Sequence, residues 1–440
     1  MRMKRGFYTI MAAQFFSSLA DNALLISAIA LLREIDAPAW MTPMLKLFFV
    51  VSYVALAAFV GAFADSFPKG RVMFITNLIK IGGCLLMLFS VHPLLAYAVV
   101  GFGAAAYSPA KYGILTELLP PEKLVVANGW IEGLTVSSIV VGFLLGGILI
   151  SPRVSQWLLG FDMPMLDTGI DLPAEAAIAV IAFVYVVASL FNLRIPDTGA
   201  RYAKQHVHPW KLMIGFMHCC SVLWRDKLGQ ISLAVTTLFW GAGATLQFIV
   251  LKWAEQVLGL DLSRAAILQA VVAVGIAVGA VYAASTVPLK QSMRVLPVGV
   301  AMGAIVTLAA FYTRTIAPSG DVSFGFVSMS WFLLIACVIL VLIGSLAGYF
   351  VVPMNALLQH RGHVLLSAGH SIAVQNFNEN LSILVMLGLY ALLVWFDLSI
   401  RSVMLLFGLF VAISMVLVIL RHRYNQRQFD SIALIGQLKH

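Results

Sequence analysis

Charge is what this sequence has least of. Only 11% of its 440 residues are Asp, Glu, Lys or Arg, while 61% are hydrophobic. Soluble domains run at about 25% charged and about 45–50% apolar. A disordered chain, a nucleic-acid-binding domain and a soluble enzyme are excluded on that balance. Cysteine is scarce as well. Cys84, Cys219, Cys220 and Cys337 show no CxxC spacing, and Cys84 and Cys337 lie in apolar runs, so no disulfide framework is expected. The nine histidines have no metal-ligand spacing on one helical face. None is followed by Asp five positions later, the pair a His-based acyltransferase would use. There is no Gly-x-Ser-x-Gly elbow and no P-loop, so direct use of ATP is excluded. The sequence therefore implies no enzyme, no cofactor and no metal.

What is present is a series of long apolar blocks, the mark of a multi-span membrane protein. The run Phe7 to Leu32 follows Arg2, Lys4 and Arg5. It is too long for a signal-peptide core and contains Asp21 and Asn22, so it reads as an uncleaved first span. Twelve spans are expected, at 7–32, 43–63, 72–91, 93–113, 123–150, 173–194, 229–254, 264–285, 295–313, 324–352, 365–395 and 402–420. With both termini inside, twenty Lys and Arg fall in cytoplasmic segments and five outside. That asymmetry sets the orientation. The net charge of +9 then reports loops facing anionic lipid, not nucleic acid.

The fold class is therefore all-α integral membrane, with two six-helix halves. The expected divisions are 1–194, a cytoplasmic linker at 195–228, 229–420, and a basic tail at 421–440. Within the linker, Leu212, Phe216, Cys220 and Leu223 recur at helical spacing and predict an amphipathic helix on the membrane surface, or a plain linker helix. The halves echo each other. Tyr107-Ser-Pro109-Ala-Lys111 and then Ala127-Asn128-Gly129 correspond to Val351-Val-Pro353-Met-Asn355 and then Ala368-Gly369-His370. Paired halves are the layout of the major facilitator fold, with substrate near the midplane.

Between spans two and three stands Gly61-Ala-Phe-Ala-Asp65-Ser-Phe-Pro-Lys69-Gly-Arg71. It resembles the major facilitator loop motif, with Ser66 and Pro68 as departures. Asp65 is placed to meet a helix N-terminus or a neighbouring base, and Lys69 and Arg71 hold the loop inside. The resemblance implies a gating role for Asp65, Lys69 and Arg71. Two marks of proton-coupled drug exporters are missing. Tyr97 stands where span four of those proteins carries Arg, and Gly147 where span five carries Pro. Gly133, Gly142 and Gly146 read as helix-packing positions.

Ionisable groups inside a span mark a site by default. Gln14, Ser18, Asp21 and Asn22 share one face of span one, and Asn128, Glu132 and Thr135 one face of span five. Span four ends with Lys111 and Tyr112. Span seven offers Trp240 and Gln247, span ten Asn355, and span eleven Gln375, Asn376, Glu379 and Asn380. Acids together with a lysine suit a substrate carrying both phosphate and ammonium. Lys111 would meet the phosphate, and Asp21 or Glu379 the amine. The competing readings are structural. Lys111 is then a snorkelling anchor or a gate partner of Glu132, and the amides of span eleven are interhelical glue. Lys80 reads as a snorkelling or helix-contact lysine, and His360, His363 and His370 as solvated loop residues.

These segments together resemble the bacterial lysophospholipid transporters of the major facilitator superfamily. The strings are Ala20-Asp21-Asn22-Ala-Leu-Leu25, Ala64-Asp65-Ser-Phe67, Gly103-Ala-Ala-Ala-Tyr107-Ser-Pro-Ala-Lys111-Tyr-Gly-Ile-Leu115, Leu238-Phe-Trp240-Gly-Ala-Gly243, Val351-Val-Pro353 with Asn355-Ala-Leu-Leu-Gln359, and Ala373-Val-Gln375-Asn376 with Glu379-Asn380. The resemblance covers nearly the whole chain. It implies flipping of lysophosphatidylethanolamine and lysophosphatidylglycerol from the outer to the inner leaflet of the inner membrane. It also implies a monomer surrounded by membrane lipids, and a functional partnership with a cytoplasmic acyltransferase. Positions matching Asp21, Asn22, Lys111 and Gln247 line the path in that family, though its members carry Arg where this chain has Gln247. The alternative is a proton-coupled exporter of hydrophobic cations.

Overall fold

The computed structural model describes residues 5–37, 41–160, 169–200, 202, 208–260, 262–324 and 327–435. Apolar spans surrounded by lipid must pair their own backbone groups, so they fold as helices. In chain order these are α1 (Arg5–Glu34), α2 (Met41–Ala55), α3 (Ala57–Ser66), α4 (Lys69–Leu88), α5 (Pro93–Leu118), α6 (Leu124–Leu149), α7 (Pro152–Leu159), α8 (Pro173–Leu193), α9 (Pro209–Arg225), α10 (Gly229–Gln256), α11 (Leu262–Thr286), α12 (Leu296–Ala309), α13 (Trp331–Leu365), α14 (Ala368–Trp395) and α15 (Ile400–Gln428). Among the described residues, eleven helices are long and apolar enough to cross a membrane. The count is twelve when α2 and α3, bent by 66° at Leu56, are taken as one broken span. The protein is therefore a multi-pass membrane protein, as its hydropathy predicts.

Helix starts follow local chemistry. Pro93, Pro152 and Pro173 each occupy the first turn of their helix, where a missing N–H costs nothing. The Glu175 carboxylate accepts from the backbone N–H groups of Asp171 and Leu172, at 3.0 and 3.1 Å. Ser399 caps α15 by accepting from the Ser402 N–H.

Three expectations are corrected. The tenth span starts seven residues later than predicted, because Asp321–Phe324 and Val327–Ser330 form an antiparallel hairpin, β1 and β2. At its other end α13 runs through Pro353 to Leu365 rather than stopping near 352. His360 therefore lies buried within a helix and is not a solvated loop residue. The last span also runs past its predicted end at 420. α15 extends to Gln428, and a short 3-10 turn, Ser431–Leu434, follows. Within the segment 195–228, Pro209–Arg225 form α9, whose apolar stripe buries Phe216 and Leu223. A second apolar face made by Trp210, Met213, Ile214 and Met217 stays exposed.

Contacts group the chain into two units. The first comprises 1–119, 137–222 and 365–377, and the second 120–136, 223–364 and 378–440. This differs from the halves drawn along the sequence: the first half of α6 groups with the second unit, and the start of α14 with the first. In the first unit α1 packs on α8, α4 on α5 and α8, and α2 on α5. Gly142 and Gly146 bring α6 onto α1, where an added Cβ would meet the Leu19 and Ala23 carbonyls. A Cβ added at Gly133 would meet nothing within 4 Å, so close packing does not require a glycine there. In the second unit α12 packs on α15, and α10 on α11 and α15. Gly275 and Gly279 of α11 cross Gly344 and Gly348 of α13 backbone to backbone, as small residues four apart allow. The four cysteines are free thiols.

Candidate functional site

The first unit holds a buried polar network at the middle of its helices. Lys80, on α4, is 1% exposed. Its Nζ donates to both carboxylate oxygens of Asp21 on α1, each at 2.9 Å, and to Ser17 Oγ at 3.1 Å. The Tyr185 hydroxyl of α8 donates to Asp21 Oδ1 at 2.5 Å. The ammonium also sits over two rings, 4.9 Å from the Tyr107 centroid and 5.5 Å from that of Tyr185. Ser17 Oγ in turn donates to Asn77 Oδ1 at 2.8 Å. Four helices thus converge on one ion pair. In a medium that solvates neither charge, a fully hydrogen-bonded pair is the arrangement that lets both persist.

Lys80 is the residue that sequence reasoning undervalued. It does not snorkel: its ammonium is buried against a carboxylate 59 positions earlier. The signal was available, since a lysine near the middle of an apolar span falls under the same rule that singled out Asp21. Asp21 itself, expected to wait for an amine, already holds one. Its side chain is 20% exposed. Asn22 donates to the Ser18 carbonyl of its own helix at 2.8 Å. Ser18 Oγ receives the Ser138 hydroxyl of α6, also at 2.8 Å.

A second cluster of this unit surrounds Asp65 at the end of α3. Oδ1 accepts from the Gly369 N–H at 2.9 Å, in the first turn of α14, and from Lys69 Nζ at 2.7 Å. Oδ2 accepts from the Ser367 hydroxyl and lies 3.0 Å from His370 Nδ1. An anion at a helix N-terminus meets free N–H groups and the positive end of the helix dipole. Lys69 also reaches Glu117 of α5, at 3.5 Å, and lies 5.0 Å from the Tyr202 ring centroid. Glu117 accepts from Thr198 and Tyr202, at 2.7 and 2.9 Å. Burial, with the Glu117 carboxylate beside it, pushes the Tyr202 phenol above its usual range, so it stays a donor. Of the three expected gating residues, Asp65 and Lys69 are joined here, while Arg71 is exposed on α4.

The other expected positions lie on several helices of the two units. Lys111 Nζ lies 4.4 Å from the Tyr112 ring centroid, and both residues are half-buried. Asn376 donates to Ser108 Oγ of α5 at 2.8 Å, which fits a helix-joining amide. Gln375 and Glu379 are buried on α14. The side chain of Glu132 lies outside the described residues. In the second unit Trp240 is half-buried on α10. The backbone carbonyl of Gln247 accepts from Gln269 at 2.8 Å. Asn128 and Gln359 exchange two amide hydrogen bonds, both at 2.9 Å. The Arg361 guanidinium grips both Asp226 oxygens, at 2.7 and 3.1 Å, and donates to the Leu434 carbonyl.

Apolar helices with ion pairs buried among them describe a multi-pass membrane protein that holds charged groups within its spans. The sequence profile of the Major Facilitator Superfamily matches residues 10–385, and the chain belongs to that superfamily. Solved structures agree on the fold. FucP in its outward conformation superposes with a TM-score of 0.70 at 12% identity, covering 95% of this chain and 98% of that one. A bacterial homologue of the iron transporter ferroportin gives 0.69 at 13%, over 96% and 100%. Relatives similar in sequence are narrower in kind. The lysophospholipid transporter LplT of Yersinia enterocolitica serotype O:8 / biotype 1B (strain NCTC 13174 / 8081) is 42% identical, over 89% of this chain and 88% of its own. The LplT of Yersinia pestis (strain Pestoides F) is equally similar, over 89% and 87%.

Proposed function

We propose that this protein moves lysophospholipid across the cytoplasmic membrane of a bacterium, by alternating access and without changing the lipid. The observation that carries this reading is the 42% identity, sustained over 89% of the chain, to relatives named lysophospholipid transporter. The chemistry of the first unit supports it. Asp21 and Lys80 set a carboxylate and an ammonium among apolar helices, and a lysolipid head offers a phosphate, with or without an amine, on an apolar tail. Lateral access from the bilayer brings the head to the polar residues and leaves the tail in lipid. Asp65, tied to the first turn of α14, serves as the cytoplasmic lock of one alternating state. Both termini are cytoplasmic, on the charge asymmetry of the loops. The transporter acts as a monomer. Reacylation by a cytoplasmic acyltransferase draws the lysolipid inward.

Purified protein in liposomes tests this. Labelled lysophosphatidylethanolamine is added outside, and albumin extracts what stays in the outer leaflet. Protein-dependent protection, with the lipid mass unchanged, is expected. Extraction equal to that from protein-free liposomes, for several head groups, would refute the reading and favour the cation exporter. A gain of one acyl chain would indicate an acyltransferase.

A further inference from the structure

We propose that Asp21 and Lys80 read a zwitterionic head group by exchanging partners with it. The ammonium of the head takes the place of Lys80 on Asp21, and the released Lys80 Nζ turns to the phosphodiester. This deepens the function proposed above and rests on it.

The argument begins with what surrounds Lys80 Nζ. Two carboxylate oxygens at 2.9 Å, a hydroxyl at 3.1 Å and two tyrosine rings at 4.9 and 5.5 Å enclose it. Anionic acceptors and ring faces of this kind form a site for a primary ammonium. The amine of an ethanolamine head is the same chemical group. The lysine therefore occupies, from inside the protein, a position that fits the charged end of such a substrate.

The two members of the pair are unequally buried. Asp21 is 20% exposed at its side chain, and Lys80 is 1% exposed. An incoming cation meets the carboxylate first. Lys80 sits on a flexible four-carbon stem, so its head group can swing while its backbone stays in α4. Asp21 keeps the Tyr185 hydroxyl throughout, which fixes the carboxylate for the exchange. Lys80 is buried and Asp21 mostly so. Swapping one partner for another avoids exposing either charge alone to the apolar interior, the step that makes a single buried ion costly. A head group with phosphate but no amine, such as that of lysophosphatidylglycerol, has nothing to release Lys80 from Asp21. It gains only part of the exchange.

The test compares initial flipping rates of lysophosphatidylethanolamine and lysophosphatidylglycerol in proteoliposomes. In Asp21→Asn the ethanolamine-to-glycerol rate ratio is expected to fall about tenfold, the effect of one lost charge contact. Because that variant leaves Lys80 short of its counter-ion, Asp21→Asn/Lys80→Met serves as an electrically neutral companion. A monodisperse elution profile checks its fold. Its ethanolamine-lipid rate is also expected to fall about tenfold. Two results would overturn the proposal. One is an equal fall for both head groups in Asp21→Asn. The other is a folded double variant that flips the ethanolamine lipid at the wild-type rate, which would make the pair a packing element. Wild-type protein that protects neither lipid would overturn the transport reading itself.

Discussion

The first unit contains two Asp–Lys pairs of the same chemistry in different settings. Asp65 and Lys69 lie four residues apart across the α3–α4 turn, and each has other partners. Asp65 keeps an amide, a hydroxyl and an imidazole, and Lys69 keeps Glu117 and the Ala64 carbonyl. Asp21 and Lys80 join α1 to α4 near mid-span, and among the described residues neither is seen paired with another opposite charge. The first pair is a redundant knot at a helix terminus, suited to holding a position. The second is a single exchange, suited to being replaced by a ligand of like charge.

That contrast predicts unequal sensitivity. Lys80→Ala is expected to cost most, about 3–5 kcal/mol, because it strands a carboxylate among apolar helices. The loss would appear as poor folded yield and a lowered unfolding temperature, partly recovered by adding Asp21→Asn. A Lys69→Ala variant as damaging as Lys80→Ala would break the comparison. Asp65→Ala comes next, at about 2–3 kcal/mol, since it leaves the Gly369 amide and Lys69 to weaker partners. Its flipping rate should fall along with its stability. Tyr185→Phe removes one hydrogen bond to a charged acceptor, about 1.5–2 kcal/mol, without changing the charge balance. Thermal unfolding in detergent would measure it. Ser17→Ala should be mildest, at about 1 kcal/mol, as it trims one donor–acceptor link at the edge of the network. A Ser17→Ala effect larger than that of Tyr185→Phe would place the hub of the network at Ser17 instead of Asp21.

Much of the fold was legible in the sequence because lipid imposes length and hydropathy on every span. The exceptions have local causes. Pro353 looked like a helix end, yet α13 absorbs it and continues to Leu365. The residues from 324 onward held enough apolar side chains to pass for the start of a span, although 321–324 and 327–330 pair as antiparallel strands. The site was legible only in part. Asp21 and Asp65 declared themselves as acids in or beside apolar runs. The partner of Asp21 did not, since helix periodicity reports which residues share a face and not which distant helix that face meets. Glu117 was missed for the same reason. It is the next-to-last residue of α5 and resembles an ordinary boundary acid until Lys69, Thr198 and Tyr202 are seen around it.

The link between α1 and α4 also bears on how the chain enters the bilayer during synthesis. A lysine near the centre of a helix opposes insertion by about 2.5–3.5 kcal/mol. Lys80 sits near the middle of the 20 residues of α4. By the time that segment leaves the ribosome, the helix bearing Asp21 has already been made, and it can meet α4 at the insertion channel. The order of synthesis thus supplies the counter-ion before the cation that requires it. α4 placed in a reporter protein without α1 should insert less completely than α4 preceded by α1.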